Sequence, residues 1–372
     1  MLISPNKLTI DLGAIVHNLG EVRGCIGPGI SIMGIVKSDA YGHGMVPVSK
    51  TLEKNGVYSL GVSFISEALM LREEGIRIPV IILCGIDKEA EAFAAVDNGL
   101  TPVVYDLDSA ERLERVASIR DKRLKVHVKI DTGMGRLGID CDHAVSFIKR
   151  VAGFKSLEIE ALMSHLSSAD EEDIAFTKGQ IERFNAVVNE AKKMGLDLRL
   201  NHLANSAGII AHKGSHFDMV RPGIMLYGGL PSPDFKTGLD LRPVMGLKCH
   251  ILQIREFNDN TPVSYGRRYY TEGNRKIAIV SAGYADGIPR AISNRGRVII
   301  GGEFAPIRGN VCMNMLACDI TGINAVKAED ECTVIGTDSK KTITGDEIAG
   351  LCSTISYEVY LSFGKGLERE YI

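Results

Sequence analysis

Short apolar, often β-branched runs recur through the first 230 positions, at SIMGIVK (31–37), YSLGVSF (58–64), PVIILCG (79–85), LTPVVYD (100–106) and LKVHVKID (124–131). Three more follow at LEIEALMSH (157–165), LDLRLNHLAN (196–205) and MVRPGIMLYG (219–228). Most are separated by stretches of helical period. In DLDSAERLERVASI, for example, Leu107, Ala110, Leu113, Val116 and Ala117 share one face with charges opposite. The longest such stretch, DIAFTKGQIERFNAVVNEAKKMG, ends in Lys192, Lys193 and Gly195, a cationic last turn followed by a terminating glycine. Eight strand–helix units in about 230 residues predict an α/β fold of the (β/α)8 TIM-barrel type, with a doubly wound open sheet as the alternative.

Beyond Pro231 the pattern changes. PSPDFKTG reads as a linker, and LKCHILQI, RKIAIVSAGY, RVIIGGEF and CTVIGT are short strands with glycine-rich turns. This predicts an N-terminal (β/α)8 barrel over residues 1–232 followed by a mainly β C-terminal domain over 233–372. One late helix is expected at TGDEIAGLC, where Thr344 and Glu347 have capping-box spacing.

A chain of 372 residues exceeds what one hydrophobic core supports, in keeping with two domains. A net charge of −3 implies no basic surface for nucleic acid. The apolar runs are too short to span a bilayer, and MLISPNKLTIDL lacks the basic and apolar regions of a signal peptide, so a cytoplasmic protein is expected. The eight cysteines contain no C-x-x-C pair and read as reduced thiols, mostly in the core. In HKGSH, His212 and His216 stand at i and i+4, but Gly214 breaks the helix that would pair them and no third ligand has motif spacing; no metal is expected.

Candidate chemistry gathers at the strand ends, where a parallel barrel places its active site. Those ends carry Lys37, Arg136, His165, Asn205, Ser206, and Arg221 with Gly223. Lys37 has two readings: a solvated loop lysine, or an amine desolvated in the barrel mouth and suited to a Schiff base. GMGRLG within 131–138 matches the glycine spacing of a dinucleotide-binding turn. The helix that follows, with Asp140 or Asp142 as its cap, starts too late for a pyrophosphate site, and Glu158 lies too early in its strand to bind a ribose.

At IVKSDAYGHG the chain resembles the pyridoxal-phosphate lysine motif of the alanine racemases, fold-type III enzymes of this cofactor. The resemblance runs through VHVKIDTGMGRLG (126–138), SHLSSAD (164–170), HLANSAG (202–208), VRPGIMLYG (220–228), PVSYG (262–266), GYADGIPR (283–290) and GNVCMN (309–314). It implies two-base interconversion of L- and D-alanine, supplying D-alanine for peptidoglycan. Lys37 would be the Schiff-base residue and the base for the D-enantiomer, and Tyr265 the base for the L-enantiomer. By the same resemblance Arg136 bonds the cofactor phenolic oxygen and the substrate carboxylate, which the backbone of Met313 also contacts. His165 would bond the catalytic tyrosine and link to Arg221, which donates to the pyridine nitrogen. Asn205 belongs to the cofactor site, Tyr41, Ser206, Gly223 and Ile224 match phosphate ligands, and Lys129 matches a lysine that some members carry as a carbamate.

The family is a homodimer whose active sites are shared between subunits. Two departures stand out. GNVCMN has Asn310 and Asn314 where the family usually has Arg and Asp, which is expected to alter substrate entry and affinity rather than proton transfer. The tail reads FGKGLEREY (363–371) in place of an R-V-P-R-type stretch, and Tyr357 has no assigned role. The rivals are a serine or broad-specificity racemase, a catalytically silent cofactor carrier and a nicotinamide dehydrogenase. A related decarboxylase would need motifs that are not present.

Overall fold

A computed structural model describes residues 6–372; the reading of the chain's first residues as free of a leader rests partly on Met1–Pro5, outside the described residues. After β1 (Lys7–Ile10), the parallel strands are β2 (Ser31–Ile35), β3 (Ser59–Val62), β4 (Val80–Ile82), β5 (Thr101–Val104), β6 (Leu124–Asp131), the two-residue β7 (Ile139–Asp140), β8 (Leu157–Met163) and β9 (Met219–Val220). β2 to β6 pair in chain order, and β8 joins β6. β3 and β5 are buried at every residue, as expected when helices cover one face and barrel side chains fill the other.

The ring closes, which excludes the open sheet. β9 pairs with β2, and His202 bridges Met163 on one side and Met219 on the other. The seventh predicted run, 196–205, therefore contributes a single bridging residue and no strand. Backbone bonds still join it to both neighbours, with His202 N–H donating to Leu162 O at 3.1 Å and Asp218 N–H to Asn201 O at 3.0 Å. Side chains supplement them: the Leu162 N–H donates to Asn201 Oδ1 at 3.0 Å, while the backbone N–H and side-chain amide of Asn201 donate to Asp218 Oδ2 at 3.0 and 2.8 Å.

The helices follow their sequence signals. Leu107–Ile119 begins where Asp106 Oδ1 accepts the Ser109 N–H at 2.7 Å and buries Ala110, Leu113, Val116 and Ala117; Leu107, in its open first turn, is 37% exposed. Ala175–Lys193 ends before Gly195, whose φ of +84° suits glycine. Thr344 caps Gly345–Cys352 by accepting the Glu347 N–H at 3.0 Å.

The second sheet is built from β10 (Met245–Phe257), β11 (Arg275–Val280), β12 (Arg297–Ile300), β13 (Glu303–Pro306), β14 (Leu316–Asp319), β15 (Glu331–Asp338), β16 (Lys341–Ile343) and β17 (Arg369–Tyr371). Its main order is β13-β12-β15-β10-β1-β17. β1 thus lies in this sheet, antiparallel to β10 and parallel to β17, so the chain starts in one sheet, winds the barrel and returns. Among the described residues no helix is long and apolar enough to cross a membrane.

The first helix, Leu12–Cys25, ties the barrel to the linker through Asn18, which has no exposed surface. Its amide donates to the carbonyls of Leu226 and Arg242 at 3.1 and 2.8 Å, and its Oδ1 accepts the Arg242 N–H at 2.8 Å. Asn18→Ala leaves those buried backbone groups unpaired and should lower stability by about 2 kcal/mol, read as a lower urea midpoint. An unchanged midpoint would mean that water takes over all three bonds.

Candidate active site

The end of β2 leads directly into the residues that define the mouth. Ser38, Asp39, Ala40 and Tyr41 all have φ between +53° and +56°, a left-handed turn without glycine. Each such residue costs about 1–2 kcal/mol, so the turn must be held from outside. Glu67 Oε1 accepts the Ser38 N–H at 2.7 Å, and Asp39 Oδ1 accepts the Met45 N–H at 2.8 Å. Lys37 stands at the start of this turn and buried Tyr41 at its end, so one strained element presents both to the same cavity.

That cavity, of about 430 Å³, is also lined by Lys129, Arg136, His165, Asn205, Ser206, Arg221, Gly223 and Ile224. Each of the barrel-mouth residues expected from sequence is therefore present. Four cationic side chains line it and no carboxylate does. Burial, and then the neighbouring Arg136, depress the Lys37 pKa, while burial with Arg221 and Arg136 beside it brings Lys129 down to about 8. Burial also pushes the Tyr41 phenol well above its ordinary range, so it remains a neutral donor. A larger groove between the linker and Gly345–Cys352 offers no comparable chemistry, because Arg297 there is already paired with Glu347 at 2.8 Å.

Arg221, 4% exposed, bonds through its two terminal nitrogens to Ser164 O (2.7 Å), Leu203 O (2.9 Å), His202 Nδ1 (2.7 Å) and His165 Nδ1 (3.1 Å). Burial lowers its pKa to about 9, which still leaves it cationic at neutral pH. Because arginine only donates, both histidines must accept at Nδ1 and carry their proton on Nε2. His202 Nε2 then donates to His127 Nδ1 at 3.0 Å, and His127 Nε2 to Glu160 Oε2 at 3.2 Å. Burial alone would raise Glu160, but the bonds from His127 and Lys125 outweigh it and hold its pKa at about 2. Burial and the Arg221 charge keep both His165 and His202 well below the usual histidine range, hence neutral.

Sequence reasoning missed this His202–His127–Glu160 chain. It also left Tyr357 unassigned, although Tyr357 lines the cavity with its ring centroid 5.7 Å from that of Tyr41. Ser63 and Cys84 line the cavity too. The glycine loop is explained by Asp131, whose carboxylate accepts the N–H groups of Gly133, Met134 and Gly135 at 2.8, 2.8 and 2.9 Å. Those donors are unavailable to a pyrophosphate. Asp140 occupies the N-cap of the next helix without a side-chain bond. His212 and His216 each bond a backbone carbonyl at 3.0 Å, Ala169 and Ile209 respectively.

Tyr265 and Met313 lie elsewhere, outside the residues lining the cavity and 73% and 56% exposed. The Met313 loop is pinned by the Ala285 N–H, which donates to Met313 O at 2.9 Å. Asn310, 5% exposed, donates from Nδ2 to Tyr265 O at 2.7 Å. It therefore sits behind Tyr265 and fixes its backbone, rather than lining an entry surface.

Residues 10–231 match the family model for the alanine racemase N-terminal domain, and residues 244–371 that for the alanine racemase C-terminal domain. The chain is 43% identical to an alanine racemase of Syntrophobacter fumaroxidans over 96% of its length and 94% of the relative's. It is 41% identical to alanine racemase 2 of Caldanaerobacter subterraneus subsp. tengcongensis, over 100% and 95%. In structure it resembles the alanine racemase of D-cycloserine-producing Streptomyces lavendulae, with TM-score 0.92, 29% identity and 100% and 98% coverage. It also resembles that of Clostridium difficile 630, with TM-score 0.89, 32% identity and 100% and 97% coverage. With a parallel barrel whose mouth gathers these basic groups, a β-rich second sheet and full-length likeness in sequence and structure, the chain belongs to the alanine racemase family.

Proposed function

We propose that this protein interconverts L- and D-alanine in the cytoplasm with pyridoxal phosphate as cofactor, as a homodimer whose active sites are shared, supplying D-alanine for peptidoglycan. The observation that carries the cofactor reading is a cavity lined by Lys37, Lys129, Arg136 and Arg221 with no carboxylate, a setting that calls for an anionic ligand. The donors fit one end of the cofactor: the Tyr41 hydroxyl, Ser206 Oγ and the Ile224 backbone suit a phosphate, which would share the Gly223 N–H with Ser206 Oγ, its hydroxyl acceptor at 3.1 Å. A Cβ at Gly223 would stand 2.5 Å from the Tyr41 hydroxyl, so only glycine leaves that cradle open. Asn205 supports it by capping Ser206–Ala211, its Oδ1 accepting the Gly208 N–H at 3.0 Å. Lys37 would hold the cofactor covalently, and Arg221 would face its ring nitrogen.

When bound, pyridoxal phosphate supplies a conjugated ring that draws electrons from the substrate Cα. The chain's own residues do the rest. Arg136 and the Met313 backbone orient the substrate carboxylate. Lys37, whose lowered pKa favours the free amine, takes or returns the Cα proton on one face, and Tyr265 acts on the other. His165 presents an Nε2–H, the donor needed to steady the tyrosine oxygen. Burial among cations lowers Lys129 to about 8 and so enlarges the minor share of neutral amine, the form that takes up carbon dioxide to become a carbamate.

The exposed positions of Tyr265 and Met313 support a site completed by a second copy. Residues 1–232 then act as the cofactor-binding unit and 233–372 as the unit that lends the second base. The free state of all eight cysteines suits the cytoplasm.

Borohydride reduction of the holoenzyme should fix the cofactor on the peptide containing Lys37; a label confined to Lys129 or any other lysine would overturn the assignment. Arg136→Met removes a cation that disfavours charged Lys37, so the pKa of Lys37 should rise. In cofactor-free protein, the pH profile of Lys37 modification by cyanate is then expected to move to higher pH. A shift to lower pH would contradict the proposed coupling. Mixing inactive Lys37→Ala and Tyr265→Ala chains should restore activity, because one site of each heterodimer carries both lesions and the other neither. Mixtures that stay dead, with heterodimers demonstrated, would place both bases within one chain.

A further inference from the structure

The tail that departs from the family pattern, FGKGLEREY, ends against the turn that carries Lys37. β17 runs parallel to β1, with Arg369 opposite Leu8 and Tyr371 opposite Ile10. From this strand Arg369 Nη2 reaches Asp39 Oδ2 at 2.7 Å, while Asp39 Oδ1 accepts the Met45 N–H at 2.8 Å. Asp39 is the second of the four left-handed residues, so both of its oxygens fasten the turn to other elements.

Two close approaches reinforce that contact. A Cβ on Gly44 (φ +92°) would stand 2.0 Å from the Tyr371 hydroxyl, and one on Gly42 (φ +85°) would stand 2.6 Å from the Tyr360 carbonyl. The end of the chain therefore packs against the turn, in addition to the grip of Glu67 on Ser38. The turn's own backbone bonds are Ala40 N–H to Val36 O at 2.9 Å, Gly42 N–H to Ser38 O at 3.1 Å, His43 N–H to Ala40 O at 3.0 Å and Gly44 N–H to Asp39 O at 2.9 Å. At about 1 kcal/mol net each they fall short of four left-handed residues at about 1–2 kcal/mol each.

We propose that β17 is a clasp on this turn, and that Arg369, acting through Asp39, is a positioning residue for the cofactor site. The inference rests on Lys37 and Tyr41 as cofactor contacts. A loosened clasp weakens both at once, because Lys37 and Tyr41 flank the same four-residue turn. Arg369 and Asp39 keep side-chain exposures of 31% and 50%, so solvent screens the pair and its loss should act several-fold rather than a thousand-fold.

The test uses the full chain with cofactor removed and re-added. In Arg369→Gln, hydrogen exchange at the amides of residues 38–45 in cofactor-free protein should speed up by about 5-fold, and the Kd for pyridoxal phosphate, titrated by visible absorbance, should rise by about the same factor. Arg369→Lys keeps the charge and should recover most of both effects. In a double-mutant cycle, Asp39→Asn combined with Arg369→Gln should be no worse than either alone. If Arg369→Gln does not fold, Asp39→Asn removes the same pair from the other side and is read in its place.

Unchanged exchange at 38–45, or losses that simply add, would overturn the clasp. Faster exchange with an unaltered Kd would overturn its positioning role. A borohydride label away from Lys37 would instead overturn the reading of the site on which the clasp depends.

Discussion

A guanidinium buried without a touching carboxylate organises this site. Arg221 is 4% exposed, and its bonds go to two carbonyls and two imidazoles. A charge so placed is tolerated only if every donor is met, and its acceptors must be neutral. That requirement dictates the tautomers of His165 and His202, and through His202 that of His127. The nearest carboxylate along this chain stands two rings away, on Glu160, which also pairs with Lys125 at 2.6 Å. The barrel is closed by the same residue that accepts from Arg221, since His202 forms the bridges to Met163 and Met219. Closure of the ring and the electrostatics of the mouth therefore depend on one histidine.

The periodic part of this architecture was legible. Apolar runs marked all eight staves as strands, and seven of them are; Thr344 and Gly195 marked helix ends by local chemistry that acts within a few residues. Lys37, Arg136, His165, Ser206 and Arg221 could be gathered because a parallel barrel sends its strand ends to one mouth. What could not be read depends on distant pairing. The place of β1 beside β10 and β17 follows from a register that joins the two ends of the chain. The His127–His202 contact spans 75 residues and depends on which side chains turn inward, which a fully buried strand does not reveal by alternation. The seventh stave read as a strand, yet only His202 of it forms bridges, and side-chain bonds of Asn201 supplement its few backbone ones.

The left-handed turn was hidden for a different reason. SDAY contains no glycine, the usual signal for positive φ, and serine, aspartate, alanine and tyrosine would each be placed elsewhere by local preference. Only the surrounding contacts account for it: Glu67, Asp39 bridging to Met45 and Arg369, and the backbone of Tyr360. A segment with strained conformation at the mouth of the barrel is the kind of place where tertiary structure overrides propensity.

A second strained turn faces outward. Ser264, Gly266 and Arg267 have φ of +66°, +70° and +49° around Tyr265. This turn is held from behind: Ser264 Oγ donates to Asn310 O at 2.6 Å, and Asn310 Nδ2 donates to Tyr265 O at 2.7 Å. The chain thus carries a basic barrel mouth and, outside its lining, an exposed tyrosine on a braced turn. A hydroxyl brought into that mouth meets arginine and lysine with no competing carboxylate, which is the setting in which an oxygen required to accept a proton is favoured. Neither part has that property alone, so in the homodimer proposed above the chemistry would belong to the contact between copies rather than to either fold unit.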